Sequence, residues 1–185
     1  MKLEIVVGNI VKQPDLEAVV NSANANLRLG SGVAGAIHAA AGPRLEEYCK
    51  PYAPLAYGNF LVTPGFKLSN PWVIHVRAAS YINHDDAPLI LEQALVAMLK
   101  ASDDNHLRSI GFPAIGTGVF AFPAELAASI TARVLFRHVD IAPHLQLARL
   151  CVSDVNLLAI YQHAFEDAGL DIHVLKSETV QPDHF

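Results

Sequence analysis

The chain predicts an α/β fold, a three-layer α/β/α sandwich with helices on both faces of a largely parallel sheet. Three observations carry this expectation. Short apolar segments of strand length alternate with longer segments of helical period, which is the pattern of strand–crossover–strand units. The intervening helices are long enough to return the chain over a sheet. A length of 185 residues with 52% apolar side chains supplies one ordinary hydrophobic core.

The elements follow in order. Leu3 to Gly8 reads as a strand and Ala18 to Asn21 as a second. Val33 to Cys49 reads as one helix carrying Ile37, Ala41 and Leu45 at helical spacing. Phe60 to Thr63 and Trp72 to Val76 form two strands joined by the turn-rich segment Pro64 to Pro71. Pro88 to Ala101 sets Leu91, Leu95, Met98 and Leu99 along one stripe and ends at Asp103-Asp104-Asn105. Ser109 to Ile115 is a buried strand, and Gly116-Thr117-Gly118 leads into a helix from Pro123 to His138 with Leu126, Ile130 and Val134 inward. Leu147 to Val152 is the next strand. The last helix turns Leu158, Tyr161 and Phe165 inward and stops at Gly169. Residues 1–170 make up the domain, and 171–185 a C-terminal tail to which Ile172 to Leu175 adds either an edge strand or more tail.

Composition narrows the function. No apolar run approaches the roughly 20 residues that cross a bilayer, and Met1 leads straight into the alternating Lys2 to Val7 without a signal-peptide pattern. A cytoplasmic monomer is expected. Cys49 and Cys151 lack metal or redox spacing, so buried thiols are expected, with no metal and no cofactor. A net charge of -5 and a pI near 5.9 disfavour nucleic acid as a partner. A small anion remains open to the chain if backbone N–H groups and helix dipoles hold it.

Two loops suit that task. Gly30-Ser31-Gly32-Val33-Ala34-Gly35 opens a helix, and Gly116-Thr117-Gly118-Val119 is read the same way. Glycine admits a phosphate close to the backbone, so two such loops in one crevice fit a diphosphate, although either alone is equally an ordinary tight turn. The first loop spells GxGxxG, the fingerprint of an NAD-dependent Rossmann enzyme. That motif should follow its strand at once, whereas residues 22–29 intervene, and the ribose-binding acid is missing among residues 51–55.

The intervening segment places Asn21 and Asn24 beyond a strand and towards the glycine loops. A carboxamide can both donate to and accept from ribose hydroxyls, or position a water. The alternative is that both amides cap local backbone groups. His38, on the helix after the glycine loop, and His75, within an apolar strand, offer themselves as general bases but read better as satisfied structural histidines. Glu46 and Glu47 read as solvated, and Asp154 either faces the cleft or caps the following helix.

With these segments in place, the chain resembles the macrodomain family. The resemblance rests on Gly8-Asn9-Ile10, Val20 to Asn24, Gly30 to His38, Ala41-Gly42, Thr63-Pro64-Gly65, Ile74-His75 and Phe112 to Gly118, in order and at similar spacing over residues 3–165. It implies a mixed, mostly parallel sheet of six or seven strands and a cleft for ADP-ribose. Asn24 would touch the distal ribose as the catalytic residue. Gly30, Gly32, Val33, Ala34 and Gly35 would wrap that ribose and the diphosphate, with Asn21 nearby. Ile115, Gly116, Thr117, Gly118, Val119 and Phe120 would close from the other side, Phe120 packing near the distal ribose. Asn9 and Ile10 would lie at the adenine.

Departures from the family pattern bear on mechanism. Asn9 stands where the family usually has Asp, the aromatic that often stacks on adenine is replaced near Ser153, and Ala121 replaces a glycine. Ala34 occupies the position of a catalytic Asp in one hydrolase subgroup, so that carboxylate route is closed. The resemblance therefore implies either a hydrolase of an ADP-ribose 1''-ester, 1''-phosphate (Appr-1''-p processing) or mono-ADP-ribosyl-protein linkage, or a non-catalytic ADP-ribose reader.

Overall fold

The computed structural model describes residues 1–177; the rest of the expected tail, 178–185, lies outside the described residues. Seven strands form one sheet in the order β3-β4-β2-β5-β6-β1-β7. They are β1 (Lys2–Val7), β2 (Ala18–Ser22), β3 (Phe60–Pro64), β4 (Trp72–Val76), β5 (Ser109–Pro113), β6 (Leu147–Val152) and β7 (Ile172–Val174). All neighbours are parallel except β3 and β4, which pair antiparallel across the turn-rich connection. β7 settles the open question at residue 172 as an edge strand, in register with Leu3 to Ile5 of β1.

Side-chain alternation along the strands divides the core in two. Ile5, Val20, Ile74, Phe112 and Leu150 face one side, covered by α3 (Ala87–Asp104), α4 (Ala124–His138) and α5 (Val155–Asp167). Val6, Val19, Val73 and Cys151 face the other, covered by α1 (Gly32–Ala41), α2 (Pro43–Cys49) and a single 3-10 turn at Ile10–Lys12. Leu91, Leu95, Met98 and Leu99 are buried along the α3 stripe as the sequence predicts, and Tyr161 and Phe165 are fully buried on α5. Leu170 N–H donates to the Phe165 carbonyl and Gly169 N–H to that of Glu166, with Gly169 at a φ of 84°, so the glycine does end α5.

The expected helix 33–49 is two helices. Gly42, at a φ of 88°, ends α1 and Pro43 opens α2 at its first position. The Gly-Pro pair was the available signal, outweighed by the helical spacing of Ile37, Ala41 and Leu45.

The second, thinner face of the sheet is held partly by charge. Arg149 on β6 donates through Nη1 and Nη2 to both carboxylate oxygens of Asp15 at 2.8 and 2.7 Å. It also donates to Glu4 at 3.2 Å and to Gln13 Oε1 at 2.9 Å. These bonds clamp the segment between β1 and β2 onto the sheet. Hydrogen bonding from Arg149 holds the Asp15 carboxyl below its ordinary range.

Candidate functional site

The sheet order places the site. β2 and β5 are parallel neighbours, yet the chain leaves β2 for α1 on one face and leaves β5 for α4 on the other. The same reversal separates β6, which leads to α5, from β1, which leads to the Ile10–Lys12 turn. The connections therefore diverge along the carboxyl edge, the usual place for a ligand in an open α/β sheet. Both glycine loops and Asn9 are set along that edge.

The first loop is built around close approach and side-chain braces. Asn24 Oδ1 accepts from Arg28 N–H at 2.9 Å and Asn24 Nδ2 donates to the Arg28 carbonyl at 2.6 Å, closing a tight ring. Leu29 N–H donates to Glu46 Oε1 at 3.2 Å, so this carboxylate braces the loop instead of standing in solvent as its sequence position suggests. A Cβ on Gly35 would collide with the Gly30 carbonyl, which is why the loop can lie against the start of α1. Gly32 has a φ of 59° and open space where a side chain would point. Ser31 caps α1 without a side-chain hydrogen bond, and no acid occupies the first turn. The helix start thus offers N–H donors and its dipole to an anion.

The second loop opens a short 3-10 turn, Gly118–Phe120, and α4 begins only at Ala124, so the expected direct entry into a helix is corrected. Thr117 Oγ1 donates to the Ala114 carbonyl at 2.7 Å, Phe122 N–H to Gly116 at 2.9 Å and Ala121 N–H to Gly118 at 3.0 Å. Gly118, at a φ of 71°, again faces open space, while Gly116 packs against Phe122 and Leu91. Tyr81 N–H donates to the Phe120 carbonyl at 2.8 Å, joining this loop to the one after β4. Val119 is 67% exposed, Phe120 half-buried and Phe122 buried, which makes Phe122 the core aromatic of the pair.

Some expected contact residues turn away from the edge. Asn21 is 1% exposed within β2, with Nδ2 3.1 Å from His75 Nδ1, so its side chain lies in the interior. Its place on the strand carried the warning: it shares a face with Val19, which is core. His75 Nε2 lies 3.0 Å from Thr63 Oγ1. Since the amide nitrogen can only donate, Nδ1 accepts and the ring proton sits on Nε2, donating to Thr63. Burial, reinforced by His38, pushes the His75 pKa down to about 3. His38 is also buried, with its pKa lowered by desolvation, but among the described residues neither ring nitrogen has a hydrogen-bond partner, unlike the satisfied histidine expected. Ile10 and Ile115 put their side chains into the core at 6% and 1% exposure, leaving only their backbones for a ligand. Ala34 is likewise buried, while Val33 is partly buried against the smaller core. Asp154 caps α5, accepting from Leu157 N–H at 2.8 Å.

Both cysteines are buried, and burial raises the Cys49 pKa to about 11. Among the described residues, no group of three or more His, Cys, Asp or Glu could hold a metal ion, and no helix is long and apolar enough to cross a membrane.

The chain is thus a three-layer α/β/α domain with two glycine loops at a topological switch point of its sheet. The chain belongs to the macrodomain family: a Macro domain model matches residues 20–131. An O-acetyl-ADP-ribose deacetylase of Salmonella gallinarum is 41% identical over 140 residues, covering 72% of this chain and 77% of the relative. Among solved structures, an Oceanobacillus iheyensis macrodomain with ADP superposes with a TM-score of 0.82 at 30% identity, covering 88% of this chain and 89% of the other. A Trypanosoma brucei macrodomain in complex with ADP-ribose gives 0.77 at 27% identity, with 87% and 68% covered.

Proposed function

We propose that this protein binds ADP-ribose or a close derivative along the carboxyl-edge crevice and hydrolyses a substituent from the distal ribose: a 1''-ester, a 1''-phosphate or a mono-ADP-ribosyl link to protein. The observation that carries the reading is the pair of left-handed glycines, Gly32 and Gly118, each opening onto free space in loops that follow adjacent parallel strands. Their N–H groups suit one diphosphate held from two sides. The deacetylase relative and the nucleotide-bound neighbours supply the ligand class.

With alanine at residue 34, catalysis depends on positioning. The substrate's own phosphate would hold the attacking water, Asn24 would orient it, and loop N–H groups would stabilise charge developing on the departing group. Asn24 enters this role already fixed by its paired bonds to Arg28. The same alanine supports a second reading, a binding module without turnover, because no carboxylate replaces the missing one within the first loop.

Calorimetric titration with ADP-ribose, followed by a time course on O-acetyl-ADP-ribose and on a mono-ADP-ribosylated protein, separates the two. Turnover of either substrate supports the hydrolase. Binding without turnover selects the module, and no binding refutes both.

A further inference from the structure

The outer surface of α4 and α5 carries an apolar groove remote in role from the ligand edge. It is lined by Ala132 on α4, by Ala159, Ile160 and Ala164 on α5, and by Ala168 just beyond. Phe136 stands on its wall at 58% exposure, the one exposed phenylalanine among the described residues. The side chains beside it are too short to cover the ring, and an aromatic left in water next to an apolar groove marks a surface that gains by association.

Charge selects the occupant. Glu125, Ser129, Arg133, Phe136 and Arg137 lie on the one face of α4 that borders the groove. Glu125 is one residue inside the start of this helix and Arg137 one residue before its end. Both are exposed, and among the described residues neither side chain has a hydrogen bond or an ion pair, whereas Arg133 is taken up by Glu92 at 3.3 Å. The two free charges stand about 18 Å apart along the axis.

A second α4 laid antiparallel on the first therefore sets Glu125 against Arg137 at both ends at once, about a two-fold axis near mid-helix. A parallel approach would set like charges together. The antiparallel arrangement also carries Phe136 of each copy towards the Ala159 and Ile160 end of the other's groove, where small side chains let a ring come close. Each charge suits the dipole of its own helix as well, but that leaves the exposed ring between them without a reason. We propose that this face is a self-complementary interface through which two copies of the chain form a two-fold dimer, in place of the monomer expected from the sequence. The interface uses neither glycine loop, so it is independent of the proposed ligand.

Sedimentation velocity on the whole protein from about 1 to about 200 µM tests this. The mass should rise with concentration from 19.9 kDa towards twice that value. Two-fold symmetry counts every substitution twice, so Arg137→Glu opposes two pairs of acids and Phe136→Ser removes two buried rings. Each should weaken dimerisation about tenfold or more, with circular dichroism showing the native fold. Glu125→Arg combined with Arg137→Glu restores both pairs in reverse and should return the affinity to within about threefold of the wild-type value. A single-chain mass throughout the range, association beyond a dimer, a dimer indifferent to Arg137→Glu or to Phe136→Ser, or a charge swap that fails to restore it overturns the inference.

Discussion

The two glycine loops reach one edge of the sheet but are held there by different forces. The first, around residues 24–35, has backbone bonds of its own, from Leu27 N–H to Asn24 and from Leu55 N–H to Ala25, but is further braced by side chains, Asn24 to Arg28 and Glu46 to Leu29, and by the close backbone approach of Gly30 and Gly35. Beneath it lies a polar layer of Asn21, His75 and Thr63, with His38 buried on α1 above the same face. The second, residues 114–122, is tied mainly by backbone hydrogen bonds, with one side-chain bond from Thr117 to the Ala114 carbonyl, and rests on Phe122, Leu91 and Tyr81. Side-chain braces respond to single substitutions and to protonation, whereas backbone turns over apolar packing respond weakly to either. The first loop should therefore be the sensitive half of the cleft.

The largest effect is expected at Gly32. The open space around it admits a side chain without collision, and its φ of 59° strains any other residue by about 1–2 kcal/mol, so Gly32→Glu places bulk and negative charge in the anion cradle at a modest cost to the fold. Affinity for ADP-ribose should fall about a hundredfold or more by calorimetry, with the thermal midpoint lowered by only a few degrees. Affinity near the wild-type value would remove the first loop from the site.

Asn24→Ala comes next. Turnover of O-acetyl-ADP-ribose should slow about tenfold or more while circular dichroism shows an intact fold, since the change removes one oriented group and a local loop tie. An unchanged rate would strip Asn24 of its role.

Acid should act on the first loop before the second. His75 has a native pKa of about 3, below its ordinary 6.5, so protons bind the unfolded chain more readily. Its contribution is fully present above pH 6.5 and is lost progressively as the pH falls towards 3. The thermal midpoint should decline between pH 7 and 5, amide exchange should rise first over residues 24–35, and His75→Gln should flatten that decline. A pH-independent midpoint over this window would contradict the assignment. Asp15, whose carboxyl is held low by Arg149, acts in the same direction at still lower pH.

The smallest effect belongs to the second loop. Ala121 sits at φ 60°, ψ 20°, a left-handed conformation that glycine adopts more easily. Ala121→Gly should raise stability by no more than about 1 kcal/mol in denaturant unfolding, because the greater freedom of glycine in the unfolded chain offsets the relief of strain. A shift in ADP-ribose affinity as large as that of Gly32→Glu would reverse the comparison.

The same contrast explains what could be read from the sequence. Strand and helix periodicity located β4 and β6 at their observed bounds, and glycine density marked both loops, because these depend on local chemistry. The interior position of Asn21 was foreshadowed by strand alternation but outweighed by its nearness to Asn24. Contacts between distant residues left no local trace. Glu46 reaches back 17 residues to Leu29, and Arg149 reaches 134 residues to Asp15, so neither brace has a spacing signature. The family resemblance implied that the sheet is mixed, but not which strand runs antiparallel, and the alternation of elements argues only for crossovers; β3 is that strand.

The central claim is that both loops grip one diphosphate. Titrating isotopically labelled protein with ADP and following backbone amide resonances tests it most directly. The account predicts that amides of residues 30–35 and 116–121 shift together along a single binding isotherm. Shifts confined to one loop, or two loops following separate isotherms, would contradict it.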